Sequence, residues 1–114
     1  MSKPVGPYTP IVRAGEWLVS SGQIGIADGK LADGFEAQLR QAIANLEGLL
    51  VGEGSSLDQV TKTTVFLTDM GKYAEMNTVY VELFGDHRPA RSAVAVAALP
   101  LGALVEIEAS AYLG

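Results

Sequence analysis

Two short runs near the start of the chain, Ile11-Val12-Arg13-Ala14 and Trp17-Leu18-Val19-Ser20, are separated only by Gly15-Glu16. Apolar runs flanking a two-residue turn with Gly first predict a β-hairpin of type II′ geometry. Ser21-Gly22-Gln23 ends the second strand, and a loop is expected through Asp28-Gly29-Lys30 and Asp33-Gly34. From Phe35 the period changes. Phe35, Leu39, Ala42, Ile43, Leu46, Leu49 and Leu50 form one apolar stripe, with Glu36, Arg40, Gln41 and Glu47 on the other side. That is the pattern of an amphipathic helix, which Gly52 and Gly54 close. The β-branched run Thr61–Leu67 predicts a strand. A shorter helix follows over Tyr73–Phe84, with Met76, Val79, Tyr80 and Leu83 inward.

The last two runs differ from each other. In Leu104–Tyr112, the residues Val105, Ile107, Ala109 and Ala111 alternate with Glu106, Glu108, Ser110 and Tyr112, as expected of a strand with one dry face. In Ala90–Val96 both sides are small and apolar, Ala93 and Ala95 on one, Val94 and Val96 on the other. Two helices cover only one face of such a sheet. A second dry face then calls for another copy of the chain, so an α+β domain that assembles is expected.

A single domain over 1–114 suits the length. A chain of this size supports one modest core and little depth for a private pocket, which makes a subunit boundary a natural place for a site. Composition agrees, with 48% hydrophobic and 18% charged residues. The net charge of −5 and the scattered Lys and Arg disfavour nucleic acid, whose binders present a basic face. No cysteine and a single histidine, His87, leave no Cys- or His-based metal centre. No apolar run approaches the length of a membrane span, and Met1-Ser2-Lys3-Pro4 lacks a signal peptide's apolar core. A cytoplasmic protein is expected.

Candidate chemistry lies at strand ends. Pro89-Ala90-Arg91-Ser92 sets an Arg at the mouth of an apolar strand, where its planar fork suits either a carboxylate ligand or an interface ion pair. Glu106 and Glu108 share one face of the final strand, either as solvated carboxylates or as a proton-handling group in a partly dry cleft. Gly6-Pro7-Tyr8 could present the Tyr8 hydroxyl, and Ser21-Gly22 allows close approach to the backbone. Asn77 is either a helix-surface residue or a ligand contact. His87 is expected to be solvated and Trp17 to be a core residue.

Taken together, Gly6-Pro7-Tyr8, Val19–Ile24, Val60–Leu67, Met76–Tyr80, Pro89-Ala90-Arg91-Ser92 and Val105-Glu106-Ile107-Glu108-Ala109 resemble, in order and over nearly the whole chain, the RidA (YjgF) family of enamine and imine deaminases. The resemblance implies a chorismate-mutase-like mixed sheet with two helices on one face. It also implies a homotrimer with sheets facing inward and three clefts between neighbours. The last strand would lie centrally, beside Thr61–Leu67, rather than in a hairpin with Ala90–Val96. Arg91 would clamp the carboxylate of a small 2-imino or 2-keto acid, and Glu106 would position or activate water. Tyr8, Ser21 and Gly22 would line the pocket with Asn77 at the rim, and no cofactor would be needed. The alternatives are a non-catalytic keto-acid-binding protein on the same fold and a ribonuclease. Two departures stand out. Ala93 occupies a position where many relatives carry Cys, and Phe84–Pro89 is shorter than in typical members, which bears on substrate preference.

Overall fold

A computed structural model describes residues 6–114. The first hairpin forms as the pattern predicts. β1 (Ile11–Ala14) and β2 (Trp17–Ser20) pair antiparallel with Ala14 opposite Trp17, and Gly15 takes φ +62° at the first turn position. The expected loop after Ser21 is more ordered than the pattern suggested. It contains β3 (Gln23–Ile24) and a miniature hairpin of β4 (Ile26–Ala27) with β5 (Lys30–Leu31). Asp28 and Gly29 both have positive φ, the conformation that lets a two-residue Asp-Gly turn follow the strand twist. Two-residue strands are too short for alternation to reveal them.

α1 (Phe35–Gly52) buries every residue of the predicted stripe. Its C-terminus closes through Ser55 N–H to Leu50 C=O (2.8 Å) and Gly54 N–H to Val51 C=O (3.0 Å), with Gly54 at φ +79°. This paired capping satisfies the last carbonyls and requires a left-handed residue at that point. Two polar side chains of α1 hold the preceding segment. Gln38 donates to Ala32 C=O and accepts from Leu104 N–H, while Asn45 donates to Ile24 and Ile26 C=O. Between those anchors, Gly25 runs so close to the backbone of Gln38 that a Cβ there would overlap it.

β6 (Val60–Leu67), α2 (Tyr73–Phe84), β7 (Ala90–Ala95) and β8 (Val105–Tyr112) complete the chain. Strand order in the main sheet is β1-β2-β8-β6-β7, with β3 also pairing with β8. β8 is central and lies antiparallel beside β6, as the resemblance implied, and β7 pairs parallel with β6 at the edge. The core lies between the sheet and the two helices. Leu18, Val65, Leu67, Val105, Ile107 and Ala111 meet Leu39, Ile43, Leu46, Met76 and Tyr80. Inside it, the hydroxyls of Thr63 and Tyr80 share a hydrogen bond of 2.8 Å, and neither is left unpaired in the dry interior.

Among the described residues, no layer covers the other face of the sheet. Trp17, expected in the core, stands on it 40% exposed with its ring tilted against Tyr112 at 4.9 Å, because alternation sends Leu18 rather than Trp17 inward. Val12 and Val19 lie on the same face. β7 differs from expectation as well, being half-buried at Arg91 and Ala93 and exposed at Ala90, Ser92, Val94 and Ala95. Its two apolar sides reflect an edge position, where α2 shields one side in part and no described residue shields the other.

Candidate functional site

Alternation along β7 is what aims Arg91. Register pairs Thr63 with Arg91 and Thr63 with Ala109, so Arg91 points to the helix side of the sheet. There α2 presents Tyr73 and Tyr80, seven residues and about two turns apart on one stripe. The Arg91 guanidinium donates to the Tyr73 hydroxyl at 3.1 Å and lies 5.5 Å from the Tyr73 ring centre and 4.9 Å from that of Tyr80. Two aromatic faces and one hydroxyl fix a long cationic side chain that would otherwise sample many rotamers. Burial pushes the Tyr80 hydroxyl above its ordinary pKa, while its bond to Thr63 and the positive charges of Arg91 and Arg88 pull the other way.

Asn77 sits between the two tyrosines on α2. Its Oδ1 is buried and has no hydrogen-bond partner among the described residues. Asn77, Tyr80, Val81, Arg88, Pro89 and Arg91 together line a cleft of about 370 Å³ at the β7 edge. No carboxylate lines it.

Glu106 belongs to a different place. It is half-buried on the uncovered face of β8. Val19 pairs with Ser110 and Gln23 with Ile107, so residues 20–22 stand opposite only 108–109. This extra residue bends the strand, and the Ser20 hydroxyl closes the gap by accepting from Ala109 N–H at 3.0 Å. The bend carries Gly22 over the Glu106 carboxyl. A Cβ at Gly22 would lie 2.5 Å from Glu106 Cδ and 2.7 Å from Oε2. Ser21 anchors the incoming segment, donating from its hydroxyl to Thr9 C=O (2.7 Å) and from its N–H to Pro10 C=O (2.8 Å). Tyr8, 41% exposed, is part of that segment. Burial, with the like charge of Glu108 adding to it, holds the Glu106 carboxyl above the usual carboxylate range.

Replacement of Gly22 by alanine is expected to leave the fold intact, because only the end of one flexible side chain must move. It should displace the Glu106 carboxyl, so activity falls while the melting temperature stays within about 2–4 °C of wild type. Circular dichroism melts run beside turnover assays check this.

The predicted residues thus form two groups, Arg91 with Asn77 on one side and Glu106, Gly22, Ser21 and the Tyr8 segment on the other. Arg91 and Glu106 are two strands apart across the sheet and three residues apart along it, roughly 14 Å between Cα atoms, and they face opposite ways. No small ligand touches both within one chain. Sequence reasoning missed Tyr73, Tyr80 as a contact of Arg91, and Arg88. The seven-residue tyrosine spacing was the available signal. It also missed His87, expected in solvent, whose Nε2 hydrogen-bonds Val60 C=O at 2.6 Å and ties the loop before β7 to the start of β6. Among the described residues no group of three or more His, Asp or Glu side chains could hold a metal ion, and no helix is long and apolar enough to cross a membrane.

A family model described as Endoribonuclease L-PSP matches residues 1–113. A RutC family protein of Pyrococcus horikoshii is 46% identical over 96% of this chain and 90% of its own. The 2-iminobutanoate/2-iminopropanoate deaminase of Mus musculus is 40% identical over 96% of this chain and 84% of its own. Among solved structures, RidA from an Antarctic Psychrobacter species superposes with a TM-score of 0.95 at 40% identity, over 96% of this chain and 91% of that one.

Proposed function

The chain belongs to the RidA (YjgF) family, and from that premise we propose that it hydrolyses reactive 2-imino acids to 2-keto acids and ammonia in clefts between copies of the chain. The observation that carries the proposal is the separation of Arg91 from Glu106. A carboxylate clamp and a proton-handling carboxyl on opposite faces of one sheet serve one ligand only if neighbouring copies bring them together. The uncovered sheet face supplies the surface for such contact, since Val12, Trp17, Val19, Val94 and Tyr112 are all exposed. A ring of three copies, each setting the open face against the β7 edge of the next, closes three equivalent clefts.

In each cleft Arg91 grips the substrate carboxylate, already oriented by Tyr73 and Tyr80. The unpaired Asn77 Oδ1 accepts the imine N–H. Glu106 of the adjoining copy, aimed by Gly22, takes a proton from water as the water oxygen bonds to the imine carbon. That proton passes to nitrogen to give the carbinolamine. Glu106 then takes the hydroxyl proton and passes it to the amine, so the C–N bond breaks and ammonia leaves as the carbonyl forms. Ser21 and Tyr8 line the wall on the Glu106 side. No step requires a cofactor.

Glu106 accepts a proton only when ionised, so activity should fall as pH drops through its raised pKa. Glu108 contributes to that rise. Glu108→Gln removes the like charge, and the acid limb of the kcat/KM profile is expected to move to lower pH. An unmoved limb would separate Glu108 from the titration.

Ribonuclease activity is disfavoured by the net charge of −5 and by basic residues that are scattered rather than set along a stripe, with only Arg88 and Arg91 sharing a cleft. The direct test generates 2-iminopropanoate with an amino-acid oxidase in the presence of semicarbazide. The protein should suppress the trapped adduct catalytically. Binding of pyruvate without suppression would replace the deaminase reading with that of a keto-acid-binding protein.

A further inference from the structure

Arg91 needs only one carboxylate, yet the cleft it lines has a second guanidinium, that of Arg88. Arg88 lies three residues before Arg91, across Pro89, in the short connection from α2 to β7. One of its terminal nitrogens donates to both Gly85 C=O and His87 C=O, the latter at 3.0 Å. Those two bonds fix the side chain against its own loop. Its Nε and other terminal nitrogen have no partner among the described residues, and this remaining edge is the fork that binds a carboxylate bidentately.

Charge makes the arrangement conspicuous. The chain is acidic, and its ion pairs among the described residues involve Arg40 and Lys72 alone. Arg88 and Arg91 converge on one cleft without a carboxylate between them. Both positive charges lie near enough to the Tyr80 hydroxyl to favour its ionised form. Beside the two guanidinium groups and Asn77, the cleft is lined by Tyr80, Val81 and Pro89, which suits a short aliphatic chain. The volume falls in the range of small-ligand sites.

We propose that this cleft selects 2-imino acids carrying a second carboxylate on a short side chain, with Arg91 on the carboxylate beside the imine and Arg88 on the distal one. The proposal rests on the deaminase reading of the cleft. Arg88 is a specificity residue here, and the bonds to Gly85 and His87 pre-set its geometry, so little side-chain freedom is lost on binding.

The experiment compares 2-iminosuccinate and 2-iminopropanoate, made in situ from aspartate and alanine by the matching oxidases, with semicarbazide trapping. Wild type should favour the dicarboxylic imine by about tenfold in kcat/KM, the size of one good charged hydrogen-bonded contact. Arg88→Gln, which retains a donor for the loop carbonyls, should erase that preference, and Arg88→Lys should restore part of it. Equal losses on both substrates, or no preference in wild type, would overturn the role of Arg88 and leave the deaminase reading standing. If neither imine is hydrolysed, calorimetry with oxaloacetate and pyruvate decides. Tighter oxaloacetate binding that Arg88→Gln abolishes would support the second-carboxylate site while the deaminase reading falls. Equal or absent binding would overturn both.

Discussion

Arg91→Ala is expected to lower kcat/KM for 2-iminopropanoate by roughly 10²–10³-fold, because it leaves the bound carboxylate without its bidentate partner in a partly desolvated cleft. The fold should survive. Arg91 is only half-buried, and the rings it leaves behind, Tyr73 and Tyr80, lie on a helix whose core contacts do not involve it. Arg91→Lys keeps the charge but loses the planar fork and the stacking over both rings, so most of the loss should persist. A variant that melts like wild type and still suppresses the semicarbazide adduct at full rate would remove the carboxylate clamp from the mechanism.

Glu106→Gln is expected to cost roughly 10²–10⁴-fold in kcat, the span typical of a positioned acid–base group. The substitution preserves shape beneath Gly22 and removes the ability to take a proton from water. Its effect should fall on kcat more than on KM, whereas Arg91→Ala should raise KM as well. Steady-state kinetics on both variants separates these roles. A glutamine variant with undiminished kcat would reassign water activation elsewhere.

The fold was legible wherever one face of an element is dry. The stripe of α1, the alternation of β8 and the Gly15-Glu16 turn each carry a period that follows directly from which side is buried. β3, β4 and β5 were not legible, because strands of two residues have no period and their order comes from Gln38 and Asn45 reaching out of α1. Trp17 misled because a large aromatic reads as core, although strand parity assigns it to the uncovered face beside Tyr112. His87 misled because its partner, Val60 C=O, is 27 residues away in sequence.

The candidate residues could be named from the sequence, but their geometry could not. The segments around Tyr8, Ser21, Asn77, Arg91 and Glu106 carry the family resemblance in linear order, but order says nothing of which face each occupies. The opposition of Arg91 and Glu106 emerges only from the register Arg91–Thr63–Ala109. The cradle of Tyr73 and Tyr80 likewise needs α2 to lie over β7. Arg88 stayed hidden because an exposed Arg in a loop is ordinary until its neighbours are known.

Mixing Arg91→Ala and Glu106→Gln subunits tests the central claim most directly. Each variant alone should be nearly inactive. After joint unfolding and reassembly at equal proportions, a cleft that takes Arg91 from one copy and Glu106 from the next is intact in about one case in four. Activity should therefore recover to roughly a quarter of wild type. If both residues served one ligand from within a single chain, no intact site could form, and a mixture as inactive as its components would contradict the account.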